Sequence, residues 1–355
     1  MIYDVSILDP STDERWDPFV TKHPFGWICH TRAWKEVLES CFKHIRAKYL
    51  FINDKETGAI KAALPLCHVK SRITGNRLVS LPFATLCDPL VSSGNEFKVL
   101  LNAAIALNEK LNCKYTEIRA LKTQAFVNEC RISLQRNYKH HYLTLGKKPQ
   151  KLLKSFHYTS VRQRIRKAEK ERLEVYKGKR ETDLKEFYHL YVKTRKRLLL
   201  PPQPYSFIWM LWQKLYPLGF LSLLLAKKED KTIGGLILFK FKDRVSAEYS
   251  VLNEDFRRLN PNHLLFWTAI KMAHQEGYSI FDFGRTAAKH QGLMDFKGRW
   301  GTKTLDLIQV FYPVSVTCQL SDYERIERKI VSGLCKRVPK PVFRALGNLC
   351  YRHMG

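Results

Sequence analysis

The sequence lacks the paired cysteines that bind structural zinc. Nine cysteines are scattered over 355 residues, and none forms a CxxC pair or a zinc-ligand spacing with the twelve histidines. An odd, scattered set is typical of reduced thiols in a reducing compartment. We therefore expect no metal site.

Long hydrophobic runs are missing as well. The most apolar segments, 220–226 and 234–239, are far shorter than the ~20 residues needed to cross a bilayer. The opening MIYDVSILDPSTDERWD is acidic where a secretory signal needs a basic segment and an apolar run. We expect a cytoplasmic protein, and we leave open peripheral contact with the inner face of the membrane.

Acidic residues are scarce relative to basic ones. Lys and Arg number 61 against 33 Asp and Glu, which leaves a formal net charge of +28. A field of that sign attracts anions such as RNA, nucleotide-linked substrates or an acidic membrane face. Charge alone does not choose among these partners.

The length of the chain favours two domains. Trp27 to Phe42 has the spacing of an amphipathic helix, with Thr31 placed to cap it. The composition changes at Gly146, because Lys147 to Leu200 holds eighteen basic and six acidic residues. We predict an N-terminal domain at 1–146, a second domain at 147–315 and a basic tail at 316–355.

The sequence pattern of the second domain predicts the order of its strands and helices. Residues 220–252 form three strand-like runs joined by charged turns, which predicts an antiparallel meander. A helix follows at about 262–276, ended by Gly277, and then the strand-like YSIFDFG.

Four segments of this region resemble the FemAB aminoacyltransferases and the related BioF2-like acetyltransferases: 161–175, 233–251, 259–284 and 292–301. The first half resembles the same fold more loosely, through its helix, paired strands and CDPL segment. The resemblance implies a mixed α and β fold with two tandem GNAT-like domains. Each domain would be a mostly antiparallel sheet flanked by helices.

The most informative stretch is FDFGRTAAKHQGLMDFKGRWG, Phe281 to Gly301. It places Arg285 and Arg299 in a glycine-punctuated loop, where cations can hold an anionic substrate. The resemblance implies that Lys297, in the FK step, contacts the developing oxyanion or the terminal phosphate of the donor. We interpret Asp282 as a strand-end carboxylate that organises the loop.

A proton acceptor is expected on the last meander strand, which faces the acyl group in GNAT-like folds. Glu248 and Tyr249 are the candidates, and strand alternation puts them on opposite faces. We favour Tyr249 as the residue that points into the site.

The turn before the predicted helix at 262 bears on the donor. GNAT enzymes that use acyl-CoA normally have glycines there, which let backbone N–H groups approach the pyrophosphate. Arg257 to His263 contains no glycine, and Pro261 removes one N–H donor. A turn without glycine is consistent with FemAB proteins, which take the acyl group from aminoacyl-tRNA. Some BioF2-like relatives also lack these glycines, so the donor stays open.

Three further features have weaker functional interpretations. Arg162 and Arg166 share a helix face that could grip phosphates, against the alternative of a solvated surface. His140 and His141 have no third ligand at metal spacing, so we assign them no site. The basic residues of 323–355 could lie on an anionic membrane or pack as a helix on the core.

The leading hypothesis is transfer of an aminoacyl group from aminoacyl-tRNA to an amine of a nucleotide- or lipid-linked, peptidoglycan-like envelope precursor, with no permanently bound cofactor. The first alternative is an acyl-CoA-dependent N-acyltransferase of polysaccharide precursor synthesis. The second is a non-catalytic basic protein that binds RNA or the membrane surface.

Overall fold

The computed structural model describes residues 4–128, 134–313 and 331–355. The chain divides into two compact units. One comprises Met1–Asn137, Asp306–Val331 and Ala345–Gly355, and the other Tyr138–Leu305 and Ser332–Arg344. The predicted ranges 1–146 and 147–315 stay a prediction, and much of the predicted 316–355 tail lies outside the described residues.

The first unit is a mostly antiparallel sheet covered by helices. Its strands are β1 (Val5–Leu8), β2 (Ile45–Asn53), β3 (Ile60–Val69), β4 (Arg77–Ser80), β5 (Thr116–Ala120) and most of β12 (Lys303–Tyr312), in that spatial order. Only β4 and β5 pair in parallel among these described strands. The helices are α1 (Trp16–Lys22), α2 (Arg32–Cys41), α3 (Gly94–Lys110) and α4 (Gln124–Asn128).

The core of this unit forms where the apolar face of α3 meets the sheet. Phe97, Leu100 and Ala104 recur at helical spacing and pack with strand residues such as Leu64 and Ile118. The prediction that Thr31 caps α2 is confirmed for the position of this residue but wrong for its side chain. Thr31 is the N-cap residue, but its hydroxyl donates to the Ile28 carbonyl 2.7 Å away instead of accepting from the helix.

The second unit is also a mostly antiparallel sheet covered by helices. Its strands, in spatial order, are β6 (Leu134–Thr144), β11 (Ile280–Ala287), β10 (Arg244–Leu252), β9 (Lys231–Phe241), β8 (Leu221–Lys228) and β7 (Glu174–Gly178). Strands β8, β9 and β10 form the predicted antiparallel meander, and β11 joins β10 in parallel.

The helices of the second unit are α5 (Pro149–Ser155), α6 (Gln163–Lys170), α7 (Glu181–Arg197), α8 (Tyr205–Leu215), α9 (Pro261–Gln275) and α10 (Gln291–Gly298). A π-helical turn at Tyr158–Arg162 precedes α6, and a 3₁₀ turn at Glu254–Leu259 precedes α9. The last helix, α11, spans Lys340–Tyr351. Phe156, Trp267, Phe281 and Trp300 belong to the core between α5, α9 and the sheet.

Candidate active site

The parallel strands β10 and β11 separate part-way along their length. Their pairing covers Arg244 with Ile280, Val245 with Phe281 and Ser246 with Asp282, although both strands continue. Directly beyond this point each strand carries a register shift, one between Ala247 and Tyr249 and one between Asp282 and Gly284. Such bulges bend a strand away from its partner. The two parallel strands therefore leave an opening between them. Asp282, Lys297 and Glu248 lie beside this opening.

Asp282 lies fully buried at the end of this parallel pairing. Its Oδ2 is 2.9 Å from Nη1 of Arg244 and 3.0 Å from Nε2 of His140. Its Oδ1 accepts the Gly284 N–H at 2.6 Å. Burial alone would raise the pKa of Asp282, but His140, Arg244 and the Gly284 N–H outweigh it and lower the pKa to about 2. The carboxylate is therefore charged and held on three sides.

Lys297 comes from the last turn of α10 and is only 6% exposed. Its ammonium donates to the backbone carbonyls of Gly284 at 2.9 Å and Arg285 at 3.1 Å. An ammonium has three N–H donors, so one remains for a substrate. Burial lowers the pKa of Lys297 to about 8, against the opposing effect of Asp282 and Glu248. The group is mostly protonated at neutral pH.

Glu248 lies within electrostatic range of this lysine. Its Oε1 accepts a hydrogen bond from the Ser246 hydroxyl at 2.6 Å. Burial raises the pKa of Glu248 to about 7; the Ser246 hydrogen bond and the charges of Arg285 and Lys297 only partly offset this rise. A carboxyl with such a pKa can accept a proton near neutral pH and release it again.

Tyr249 has a different environment. Its ring lies 5.9 Å from Tyr191 on α7 and 6.5 Å from Phe239 on β9, centroid to centroid. The register shift between Ala247 and Tyr249 interrupts the alternation on which its predicted orientation depended. The structure brings Glu248 into electrostatic range of Lys297, and the inward orientation of Tyr249 stays a prediction.

The other predicted binding residues lie in three places. Arg285 gives its carbonyl to Lys297, and its guanidinium lies 4.9 Å from the ring of Tyr138. Arg299 is exposed at the rim of a cavity that His141 also lines. Arg162 lies 4.7 Å over the ring of Tyr158, and Arg166 is exposed one turn later on α6.

The first turn of α9 is covered by the chain itself. Asn260 has a left-handed backbone with φ of 58°, and Pro261 is the first helical residue. The buried ring of His263 stacks on Trp300 at 6.0 Å and 19°, and burial lowers the pKa of His263 to about 4. Pro261 has no N–H, and the N–H groups of His263 and Leu264 donate to the Asn260 carbonyl at 3.0 and 3.4 Å, so few N–H groups of this turn are left for a pyrophosphate.

The described residues contain neither a cluster of metal ligands nor a membrane-spanning helix. Within 4–128, 134–313 and 331–355, no three His, Cys, Asp or Glu side chains come together as metal ligands. In the same residues, no helix has both the length and the apolar character to span a bilayer.

Residues 155–298 match the sequence model of the acetyltransferase (GNAT) domain. This segment is a GNAT acyltransferase domain. The predicted acyltransferase class is thereby confirmed. A search of curated protein sequences found no match to the chain.

Solved structures extend the fold beyond the GNAT domain. The chain is 18% identical to FemX, covering 86% of this chain and 96% of FemX, with a TM-score of 0.68. A tandem GNAT protein of the clavulanic acid pathway is 11% identical, with 87% and 98% covered and a TM-score of 0.56. The C-terminal domain of a putative lysylphosphatidylglycerol synthetase from Agrobacterium fabrum is 11% identical, with 85% and 92% covered and a TM-score of 0.55. These likenesses confirm the predicted mixed fold with tandem GNAT-like domains.

Sequence reasoning missed two members of the group around Asp282. Arg244 and His140 reach this carboxylate from strands that are distant in sequence, whereas Glu248 is one of the two predicted candidates for the base. A search for ionisable residues at the ends of the predicted strands would have found Arg244. No local pattern distinguishes His140 from an ordinary strand histidine.

Proposed function

We propose that the protein transfers an aminoacyl group from aminoacyl-tRNA to an amine of a cell-envelope precursor, forming an amide bond. The observation that carries the proposal is the half-buried Glu248 within electrostatic range of the buried Lys297, beside the point where β10 and β11 separate. A base that titrates near neutrality and a fixed cation are what amine attack on an ester requires.

In the proposed reaction the ammonium group of the acceptor loses one proton to Glu248 and becomes a neutral amine. Its nitrogen then forms a bond to the ester carbon, and the carbonyl oxygen becomes an oxyanion that the third N–H of Lys297 stabilises. As the oxyanion collapses, the carbon–oxygen bond to the ribose breaks. The second proton of the nitrogen goes to the departing ribose oxygen. Asp282 and Arg244 position the β11 backbone that carries the carbonyl partners of Lys297.

The choice of donor rests on the covered first turn of α9. A pyrophosphate needs approachable N–H groups at that helix start, and Pro261 and the buried His263 occupy the position. The resemblance to FemAB proteins supports aminoacyl-tRNA, and the lysylphosphatidylglycerol synthetase fold is a second aminoacyl-linked neighbour. Arg285 and Arg299 are the proposed contacts for anionic groups, and Arg162 and Arg166 for the RNA.

A specific observation favours one alternative. The matched domain is an acetyltransferase domain, which supports acyl-CoA as donor, as in the alternative of an N-acyltransferase of polysaccharide precursor synthesis. The catalytic roles of Glu248 and Lys297 would be the same, because only the leaving group differs.

Donor and residue roles are tested together by incubating the protein with a crude envelope-precursor pool and either labelled aminoacyl-tRNA or labelled acetyl-CoA. We expect label to move from the RNA, in an RNase-sensitive reaction. Lys297→Met should abolish transfer while leaving the circular dichroism spectrum unchanged, because the oxyanion loses its cation. Lys303→Met, which changes an exposed lysine of the same region, is the matched control. Unchanged rates in Lys297→Met would refute the assignment of this lysine.

A further inference from the structure

The guanidinium of Arg285 lies against an aromatic ring on the neighbouring strand β6. Arg285 pairs with His140 across β6 and β11, so Tyr138, two residues before His140, is a diagonal neighbour on the same face of the sheet. The guanidinium carbon is 4.9 Å from the centre of the Tyr138 ring. At this distance a ring attracts a cation and favours the rotamers that keep it there about two- to fivefold.

Glu248 lies on β10, the strand on the other side of β11. Ser246 and Asp282 form the last pair of these two strands, so Glu248 and Arg285 both lie just beyond it. Within the part of the chain that the structure describes, Glu248 forms no ion pair with Arg285; it accepts a hydrogen bond from the Ser246 hydroxyl. Burial raises the pKa of Glu248 to about 7, and the charge of Arg285 acts against that rise.

The charged groups around Glu248 differ in their freedom to move. Those that act on it are Asp282 and Arg285 on β11 and Lys297 on α10, and the β9 residues beside it, Ile237 and Leu238, carry no charge. Lys297 is fixed by two backbone carbonyls, whereas Arg285 has an exposed side chain. An ion pair with arginine lowers the pKa of a carboxyl by about 1 to 3 units. Such a pair would leave Glu248 a weak base at neutral pH.

We propose that Tyr138 is a positioning residue whose ring holds the Arg285 guanidinium on the β6 side of β11 and thereby prevents an ion pair between Arg285 and Glu248. The carboxylate then stays able to accept a proton from the acceptor, and the guanidinium stays beside the opening for an anionic group of a substrate. The inference rests on the proposed function, because it concerns the base of that reaction.

The test follows the Glu248 carboxyl itself, by NMR titration of the full chain with isotope-labelled glutamate. The Glu248 signal is assigned by its absence in Glu248→Gln. In Tyr138→Leu the ring is lost, so the midpoint of the titration should fall by about 1 unit or more as Arg285 pairs with the carboxylate. Tyr138→Phe keeps the ring and should restore the wild-type midpoint.

The matched control is another ring that holds a cation in the same unit. Lys227 lies 4.8 Å over the ring of Tyr176, so Tyr176→Leu removes an equivalent contact at strands β7 and β8. The midpoint of Glu248 should not change in this variant. Tyr138→Val, which places a β-branched residue in the strand, repeats the test if Tyr138→Leu does not fold.

A double variant shows whether Tyr138 acts through Arg285. In Tyr138→Leu with Arg285→Met the fall should disappear, and the midpoint should equal that of Arg285→Met alone. A purely structural effect of the lost ring would shift the midpoint equally with and without the arginine. An unchanged or raised midpoint in Tyr138→Leu, or a fall that persists without Arg285, would overturn the proposal.

The titration needs no substrate, so the two proposals fail in different ways. A fall of the midpoint in Tyr138→Leu, in a protein that transfers no acyl group, would keep the role of Tyr138 and remove the proposed function. Acyl transfer by the wild type, with an unchanged midpoint in Tyr138→Leu, would do the reverse.

Discussion

At the scale of single residues, Glu248 and Lys297 limit the pH range of the proposed reaction from opposite sides. Glu248 must be deprotonated to accept a proton, and its pKa is about 7. Lys297 must be protonated to stabilise an oxyanion, and its pKa is about 8. We expect kcat/KM to rise with pH through about 7 and to fall above about 8, as measured with a saturating acceptor. A flat profile between pH 6 and 9 would contradict both roles.

Replacing Glu248 separates its contribution from that of the lysine. Glu248→Gln removes the base, so kcat should fall roughly 10²- to 10⁴-fold and the rising limb of the pH profile should disappear. The falling limb, which belongs to Lys297, should remain. Glu174→Gln changes an exposed carboxyl and serves as the control. If the rising limb persists in Glu248→Gln, another group is the base.

Asp282 has a consequence for stability that does not depend on the reaction. Asp282→Asn leaves the Arg244 guanidinium and the His140 imidazole without their buried carboxylate partner, so the free energy of unfolding should fall by about 3 kcal/mol at pH 7. Urea unfolding followed by circular dichroism measures this change, with Asp230→Asn at an exposed turn as control.

The Asp282 carboxylate also makes the stability of the folded protein depend on pH. Its pKa is depressed in the folded protein, from 3.8 to about 2, so its stabilising effect is complete above about pH 4. That effect should be lost as the pH falls from about 4 to 2. Equal acid sensitivity of the wild type and Asp282→Asn would show that the carboxylate is not held as described.

At the scale of elements, the sequence predicts the strands and helices of the GNAT domain well, but not the details of their register. The meander, α9 and β11 follow from apolar periodicity and turn residues, and Asp282 and Lys297 lie in one recognisable stretch. The register shift in β10 has no signal in composition, and it interrupts the strand alternation from which the orientations of Glu248 and Tyr249 are predicted. His140 and Arg244 join the group only through pairing between strands distant in the chain.

The start of α9 gives a prediction about the donor. Because Pro261 and the buried His263 cover the first turn, we expect no saturable binding of acetyl-CoA in calorimetry up to millimolar concentration. A GNAT enzyme with the usual glycine-containing turn is the positive control. Saturable binding would favour the acyl-CoA alternative and leave the roles of Glu248 and Lys297 intact.

At the scale of the whole molecule, the dominant property is a net charge of +28. An excess of that size attracts any polyanion, so binding of RNA in itself does not identify a site. The contribution of one site to RNA binding is recognised by comparing the effects of removing equivalent charges at different positions. Arg166 on α6 and Arg258 in the 3₁₀ turn are both exposed arginines, which makes them a suitable pair.

If tRNA binds along the face of α6, Arg166→Ala should weaken its binding and reduce the slope of log K against log salt concentration by about 1, because one phosphate contact is lost. Arg258→Ala should change neither quantity. Fluorescence anisotropy of labelled tRNA between 50 and 200 mM salt measures both. Equal losses in the two variants would mean that a diffuse field, and not the α6 face, holds the RNA, and would remove Arg166 from the proposed binding surface.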